Sequence, residues 1–320
     1  MSKYRDCISR SQLFYLVFLY VLSGLMLYGG GSFTVIAFSG LFCICVCVIC
    51  AALRRDAHSF KDLSSALLGR YSWVLIIIST IITAFPLVQT LYEVSFRVGA
   101  FYDSAPSFVL LFVFVALCIF AMSGGVASAA RFSEMCVLPL MAVLPLSLLG
   151  GGGRSIGLAF FDTDLFDSFV VIGSVTVFLS LYLRTVDENE MSAYLQNSAF
   201  HPSPLWCGIG GVVLASCVYI FLRLVGAGSI LSSFFICFFF LSRVLAIILT
   251  MSDIVGIPES GDARARVRRI TLITCVSVAV LPLCVYYERL SAEIVTVCNV
   301  IFPCVLFASL MLKNGYSAAK

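Results

Sequence analysis

Runs of about 17 to 24 nearly uninterrupted apolar residues, broken by short polar stretches, are the feature that most constrains this chain. A helix rising 1.5 Å per residue needs about 20 such residues to cross a hydrocarbon core roughly 30 Å thick. Barrel strands would alternate polar with apolar residues, and these runs do not. Inside lipid every backbone amide must find its partner within the chain, so uniformly apolar runs of this length read as helices. Composition agrees: 61% of the 320 residues are hydrophobic and 12% charged, with mean hydropathy +1.07. A soluble domain carries about 25% charged residues. The expected class is an all-α integral membrane protein.

Hydropathy places about ten spans, near 12–29, 32–53, 73–96, 107–123, 132–149, 168–184, 206–226, 230–250, 270–287 and 294–312. The first apolar run lacks a small-residue cleavage site and reads as a retained helix. Of the lysines and arginines, Arg97, Arg154 and Arg289 fall in outer loops and Arg223 and Arg243 within spans if the N-terminus is inside. All others then face the cytoplasm, and an even number of spans returns the C-terminus to that side. No nucleic-acid role is expected, because the basic residues sit in loops between spans.

A single transmembrane domain covers 1–320 and divides into halves of about 12–149 and 168–312. An odd number of spans per half makes the second half enter from the opposite side, the 5+5 inverted repeat of transporters that bind ligand at interrupted helices. The first helix of each half is therefore expected to be broken, at Ser23-Gly24 and at Gly173-Ser174 with Thr176. Glycine admits a ligand to the backbone and hydroxyls can bind freed carbonyls. Alternatively, such small residues simply let helices pack closely.

The loop between Arg54 and Trp73 carries Phe60, Leu63, Leu67 and Leu68 at helical spacing. Ser59 is placed to cap its start and Gly69 to stop it, giving a short amphipathic helix along the inner membrane surface.

No enzyme constellation is present. His58 and His201, the only histidines, lie in separate loops, and Gly150 to Gly153 lacks the lysine and hydroxyl of a phosphate loop. Cys43, Cys47 and Cys50 share a helix face beside Cys45, without an accompanying histidine or acid, and read as inert apolar thiols. No metal or other cofactor is expected. Charges within or beside spans are more informative, because they are costly unless paired or wetted. Glu93 and Arg97 could pair along one helix face, and Arg131 and Glu134 could form a gate or a structural pair. Arg243, deep in the eighth span, either snorkels inward or meets an acid on another helix.

Several stretches together resemble the endospore germination permeases, the polytopic B-type subunits of nutrient germinant receptors. They are Ile8-Ser9-Arg10-Ser11-Gln12-Leu13-Phe14, the segment from His58 to Gly69, Leu91-Tyr92-Glu93-Val94-Ser95-Phe96, and Ala105-Pro106. The run from Gly125 to Glu134 followed by Pro139 is similar to that family's glycine, arginine, glutamate and proline sequence, and Pro303 and Lys313 also fit. Gly29-Gly30-Gly31 stands where the family carries proline, and 243–269 departs from its pattern. The resemblance implies membership of the amino acid–polyamine–organocation superfamily with a LeuT-like fold. It implies a small nutrient ligand, such as an amino acid, between spans 1, 3, 6 and 8. Ser23, Gly24, Leu25 and Met26 would face Gly173, Ser174 and Thr176 there, with Tyr92 or Glu93 closing the outer side. It further implies a spore inner membrane location and two partners, a further membrane subunit and a lipoprotein. A free-standing ion-coupled amino acid transporter and a scaffold without ligand are the alternatives.

Overall fold

The computed structural model describes residues 8–28, 32–54, 59–101, 130–137, 171–185, 203–225 and 230–256, with the backbone alone over 94–101, at 225 and over 230–239. It adds single positions at 116 and between 264 and 305. The spans expected at 107–123, 132–149, 270–287 and 294–312 lie mostly outside these residues. Within them the chain is helical: α1 (Arg10–Tyr28), α2 (Phe33–Leu53), α3 (Phe60–Leu68), α4 (Ser72–Phe101), α5 (Val175–Leu183), α6 (Pro204–Val225) and α7 (Ile230–Ile254). Among the described residues, four stretches are long and apolar enough to cross a membrane, namely Arg10–Tyr28, Phe33–Leu53, Phe60–Glu93 and Pro204–Leu224.

The helices sort by what surrounds them. From Leu16 to Leu25 α1 is buried on every side, and α7 is likewise buried from Phe240 to Ile254. Neither needs a polar stripe, because neither meets water; they form the centre of the bundle. α1 packs on α6 and α7, α4 on α7, and α2 on α6 and α5. Gly211 lets α6 close on α1, since a Cβ there would lie 2.9 Å from the Phe14 carbonyl oxygen. The outer helices keep an exposed apolar side, with Phe38, Leu41 and Val48 on α2 and Val213 and Leu224 on α6. Lipid tails accept such side chains without penalty.

The amphipathic helix forms as the loop sequence dictates. Ser59 Oγ accepts the Asp62 amide at 3.1 Å and donates to the Asp62 carboxylate at 2.7 Å, fixing the first turn. Phe60 and Leu63 are buried, Lys61 and Asp62 exposed, and Gly69 ends the helix at φ +53°. Arg70, Tyr71 and Trp73 follow, all exposed, the residue types that settle at a membrane–water interface.

Candidate functional site

Helix α5 does not begin where its apolar run begins. Val171 and Ile172 are helical, Gly173 turns to φ +71°, Ser174 is extended, and a new helix starts at Val175. The Ser174 amide closes on the Ile172 carbonyl at 2.9 Å across the glycine. This is the interruption expected at Gly173-Ser174. It is buried in the core, so the backbone groups it frees must be satisfied there.

Two distant side chains supply the partners. Tyr20 on α1 accepts the Ser174 amide on its hydroxyl at 3.1 Å. Arg243 on α7 donates Nη1 to the Val171 carbonyl at 2.9 Å and to the Tyr20 carbonyl at 3.0 Å. Its guanidinium stands over the Tyr20 ring at 4.6 Å and 6.0 Å from the Tyr28 ring. Arg243 has no exposed surface at all. The arginine therefore does not snorkel: it is held at the break by carbonyls and aromatic faces. Beside it, Ser242 Oγ meets Ser133 Oγ at 2.9 Å, tying 130–137 to α7.

Hydroxyls line the start of α5. Thr176 Oγ1 bonds Ser174 Oγ, and it meets Thr83 Oγ1 of α4 at 2.6 Å. Thr83 in turn donates to the Ser79 carbonyl at 2.6 Å. One turn on, Pro86 removes an intrahelical bond from α4.

The expected break in the first span is absent. α1 is helical through Ser23, Gly24, Leu25 and Met26. The Ser23 hydroxyl folds back onto the Tyr20 carbonyl at 2.9 Å, within its own helix. Gly24 serves close approach instead: a Cβ there would lie 2.2 Å from both Arg243 Nη1 and the Val171 carbonyl oxygen. The structure thus gathers Gly24, Gly173, Ser174, Thr176 and Arg243 in one place. Leu25 is buried and Met26 half-buried on the same helix. Tyr92 and Glu93, both half-buried, lie about 14 Å further along α4 than Thr83. The Arg97 side chain lies outside the described residues. Arg131 is exposed and Glu134 half-buried, and among the described residues they form no ion pair with each other.

Sequence reasoning missed Tyr20 and Thr83. Tyr20 stands four residues before Gly24, on the same helix face, and a phenol beside a glycine on a central helix was the available signal.

A second polar cluster closes the end of the bundle where α2, α5 and α7 finish. Asp253 accepts Arg184 Nη2 at 3.0 Å and Ser180 Oγ at 2.8 Å. Arg54 Nη2 donates to the Thr185 carbonyl at 2.6 Å, and the Ile8 amide donates to the Arg184 carbonyl at 3.0 Å in a short parallel bridge. Asp253 and Arg184 are 6% and 10% exposed, so the pair is poorly screened by water. Asp253→Asn is expected to lower stability by about 3 kcal/mol, because it replaces the charge that Arg184 faces by a neutral amide in a pair poorly screened by water. Thermal unfolding of the purified protein checks this; an unchanged midpoint would mean that α5 and α7 are held together at this end by other contacts.

The thiols of Cys43, Cys47 and Cys50 are free and buried on one face of α2, while Cys45 is exposed. Among the described residues no group of three potential metal ligands comes together.

No family model and no curated protein matches the sequence. Solved structures do. A manganese transporter from Eremococcus coleocola, crystallised with an aromatic bis-isothiourea substituted compound, shares 13% identity at a TM-score of 0.52, over 96% of this chain and 76% of the transporter. The fold is LeuT-like. Mhp1, a nucleobase-cation-symport-1 family transporter in a closed conformation with bromovinylhydantoin bound, matches with TM-score 0.43 and 13% identity, over 97% of this chain and 76% of Mhp1. The fold is thus shared with a transporter, and the apolar helices are those of a multi-pass membrane protein.

Proposed function

We propose that this chain is the membrane subunit of a spore germinant receptor, binding a small polar nutrient at the Gly173–Ser174 break and signalling by a transporter-like change of conformation. The observation that carries the ligand site is the interruption itself. A helix broken in a low-dielectric core leaves backbone poles and hydroxyls that a polar molecule can share, and it is a natural hinge. Binding would shift an equilibrium between two arrangements of α1, α5 and α7, by no more than the ligand's difference in affinity for the two. The receptor part rests on the residue resemblance around Ile8–Phe14, His58–Gly69 and Gly125–Glu134.

A receptor subunit works with partners. Tagged protein captured from detergent-solubilised spore membranes should bring with it a further membrane subunit and a lipoprotein, and its deletion should abolish the response to one nutrient. If the purified chain instead accumulates a solute in vesicles against a gradient with no partner present, it is a free-standing transporter and the receptor reading fails.

A further inference from the structure

We propose that Arg243 is the specificity-determining residue of the break, and that it makes the site select a small carboxylate without an ammonium group over an α-amino acid. The proposal rests on reading Gly173–Ser174 as a ligand site. A helix interrupted in the core offers two poles of opposite sign. The segment before the break ends in carbonyls that attract cations, and the segment after it begins in amides that attract anions. A zwitterionic amino acid would use both, placing its ammonium on the carbonyls and its carboxylate at the amides.

In this protein the carbonyl pole is filled by the chain itself. Arg243 Nη1 holds the Val171 carbonyl at 2.9 Å and the Tyr20 carbonyl at 3.0 Å. The aromatic faces that would also draw an ammonium are covered by the same guanidinium, at 4.6 Å from Tyr20 and 6.0 Å from Tyr28. Both glycines of the site are needed to admit it. A Cβ at Gly24 would stand 2.2 Å from Nη1, and one at Gly173 2.5 Å from Nη2. An incoming ammonium would meet a fixed like charge on the groups it needs.

The other pole favours the opposite charge. Nη2 lies against Gly173, and the nine-residue helix α5 presents its N-terminus two residues later. Two sources of positive potential therefore converge on Gly173 and Ser174, within reach of the Thr176 and Thr83 hydroxyls. A carboxylate gains from both. A neighbouring hydroxyl on the ligand could share the threonine chain.

Propionate, lactate and L-alanine make the test, since they differ in little but the group on the second carbon. Thermal unfolding of the purified full chain is followed with each as its sodium salt or free acid, at constant ionic strength, with sodium chloride as the control. Propionate and lactate should raise the midpoint saturably, with L-alanine bound at least about 100-fold more weakly or not at all. Arg243→Gln should weaken propionate and lactate by about 100-fold, the scale of losing one partner of a buried charge pair. Should Arg243→Gln fail to fold, Arg243→Lys keeps an amine at the carbonyls but gives up the second nitrogen against Gly173 and the planar stacking on Tyr20, and should retain the preference for propionate over alanine with binding weakened about tenfold. Saturable stabilisation of the wild type by L-alanine, within tenfold of propionate, would overturn the proposal while leaving the break as a ligand site. Propionate binding equally strong in a folded Arg243→Gln would overturn the role of the arginine. If none of the three compounds stabilises the protein, the ligand-site reading fails and this inference fails with it.

Discussion

Gly24→Ala should destabilise the protein by about 3 kcal/mol, although local reasoning predicts the opposite. In an uninterrupted helix alanine is favoured over glycine by about 1 kcal/mol, and α1 runs without a break through this position. The tertiary contact reverses the sign. The added Cβ would lie 2.2 Å from the Val171 carbonyl oxygen and 2.2 Å from Arg243 Nη1. The guanidinium end of a long side chain can move, but the carbonyl belongs to backbone already committed to a break and to a hydrogen bond. Overpacking of this kind costs about 1–3 kcal/mol, and relief by moving Arg243 gives up its bonds to two buried carbonyls. Thermal unfolding of the purified variant reads the loss. A neutral or stabilising result would show that α1 does not approach the break in the folded protein.

Gly173→Ala should cost about 3 kcal/mol for two separable reasons. The backbone there has φ +71°, which an L-residue adopts only at about 1–2 kcal/mol. The Cβ would also stand 2.5 Å from Arg243 Nη2 and 2.6 Å from the Tyr20 hydroxyl, the guanidinium being pinned through its Nη1 and the hydroxyl by the Ser174 amide. Gly69→Ala separates the two causes. Gly69 has φ +53° and ψ −116° with nothing within 4 Å of an added Cβ, so its loss is backbone strain alone, on the order of 1–3 kcal/mol. The excess loss at Gly173 is then the packing of Tyr20 and Arg243 against the break. Equal losses at the two positions would remove that packing from the account.

The membrane class, the starts of α1, α2, α4, α6 and α7, and the capped amphipathic helix were all legible in the residues. Each rests on local physics. An apolar run of span length has one low-energy structure in lipid, and Ser59 with Asp62 satisfies the first turn of α3 from within that turn. The break at Gly173-Ser174 was legible as a weak point. The similar Ser23-Gly24 pair looked equally weak and is helical.

What separates them lies far away in sequence. A helix opens in a buried core only where another element can satisfy the groups set free. At 171–174 the Tyr20 hydroxyl takes the Ser174 amide and Arg243 takes the Val171 carbonyl. At Ser23 the hydroxyl returns to its own helix. The residues alone therefore determined that this chain spans a membrane as helices, and where those helices were able to yield. Only the tertiary structure decided which of them did, because the compensating donor and acceptor come from α1 and α7 and are adjacent to the break in space alone. The same holds for Arg243. Its cost in a span was readable from composition, whereas its place at the junction of two carbonyls and two aromatic rings exists only once three helices have packed.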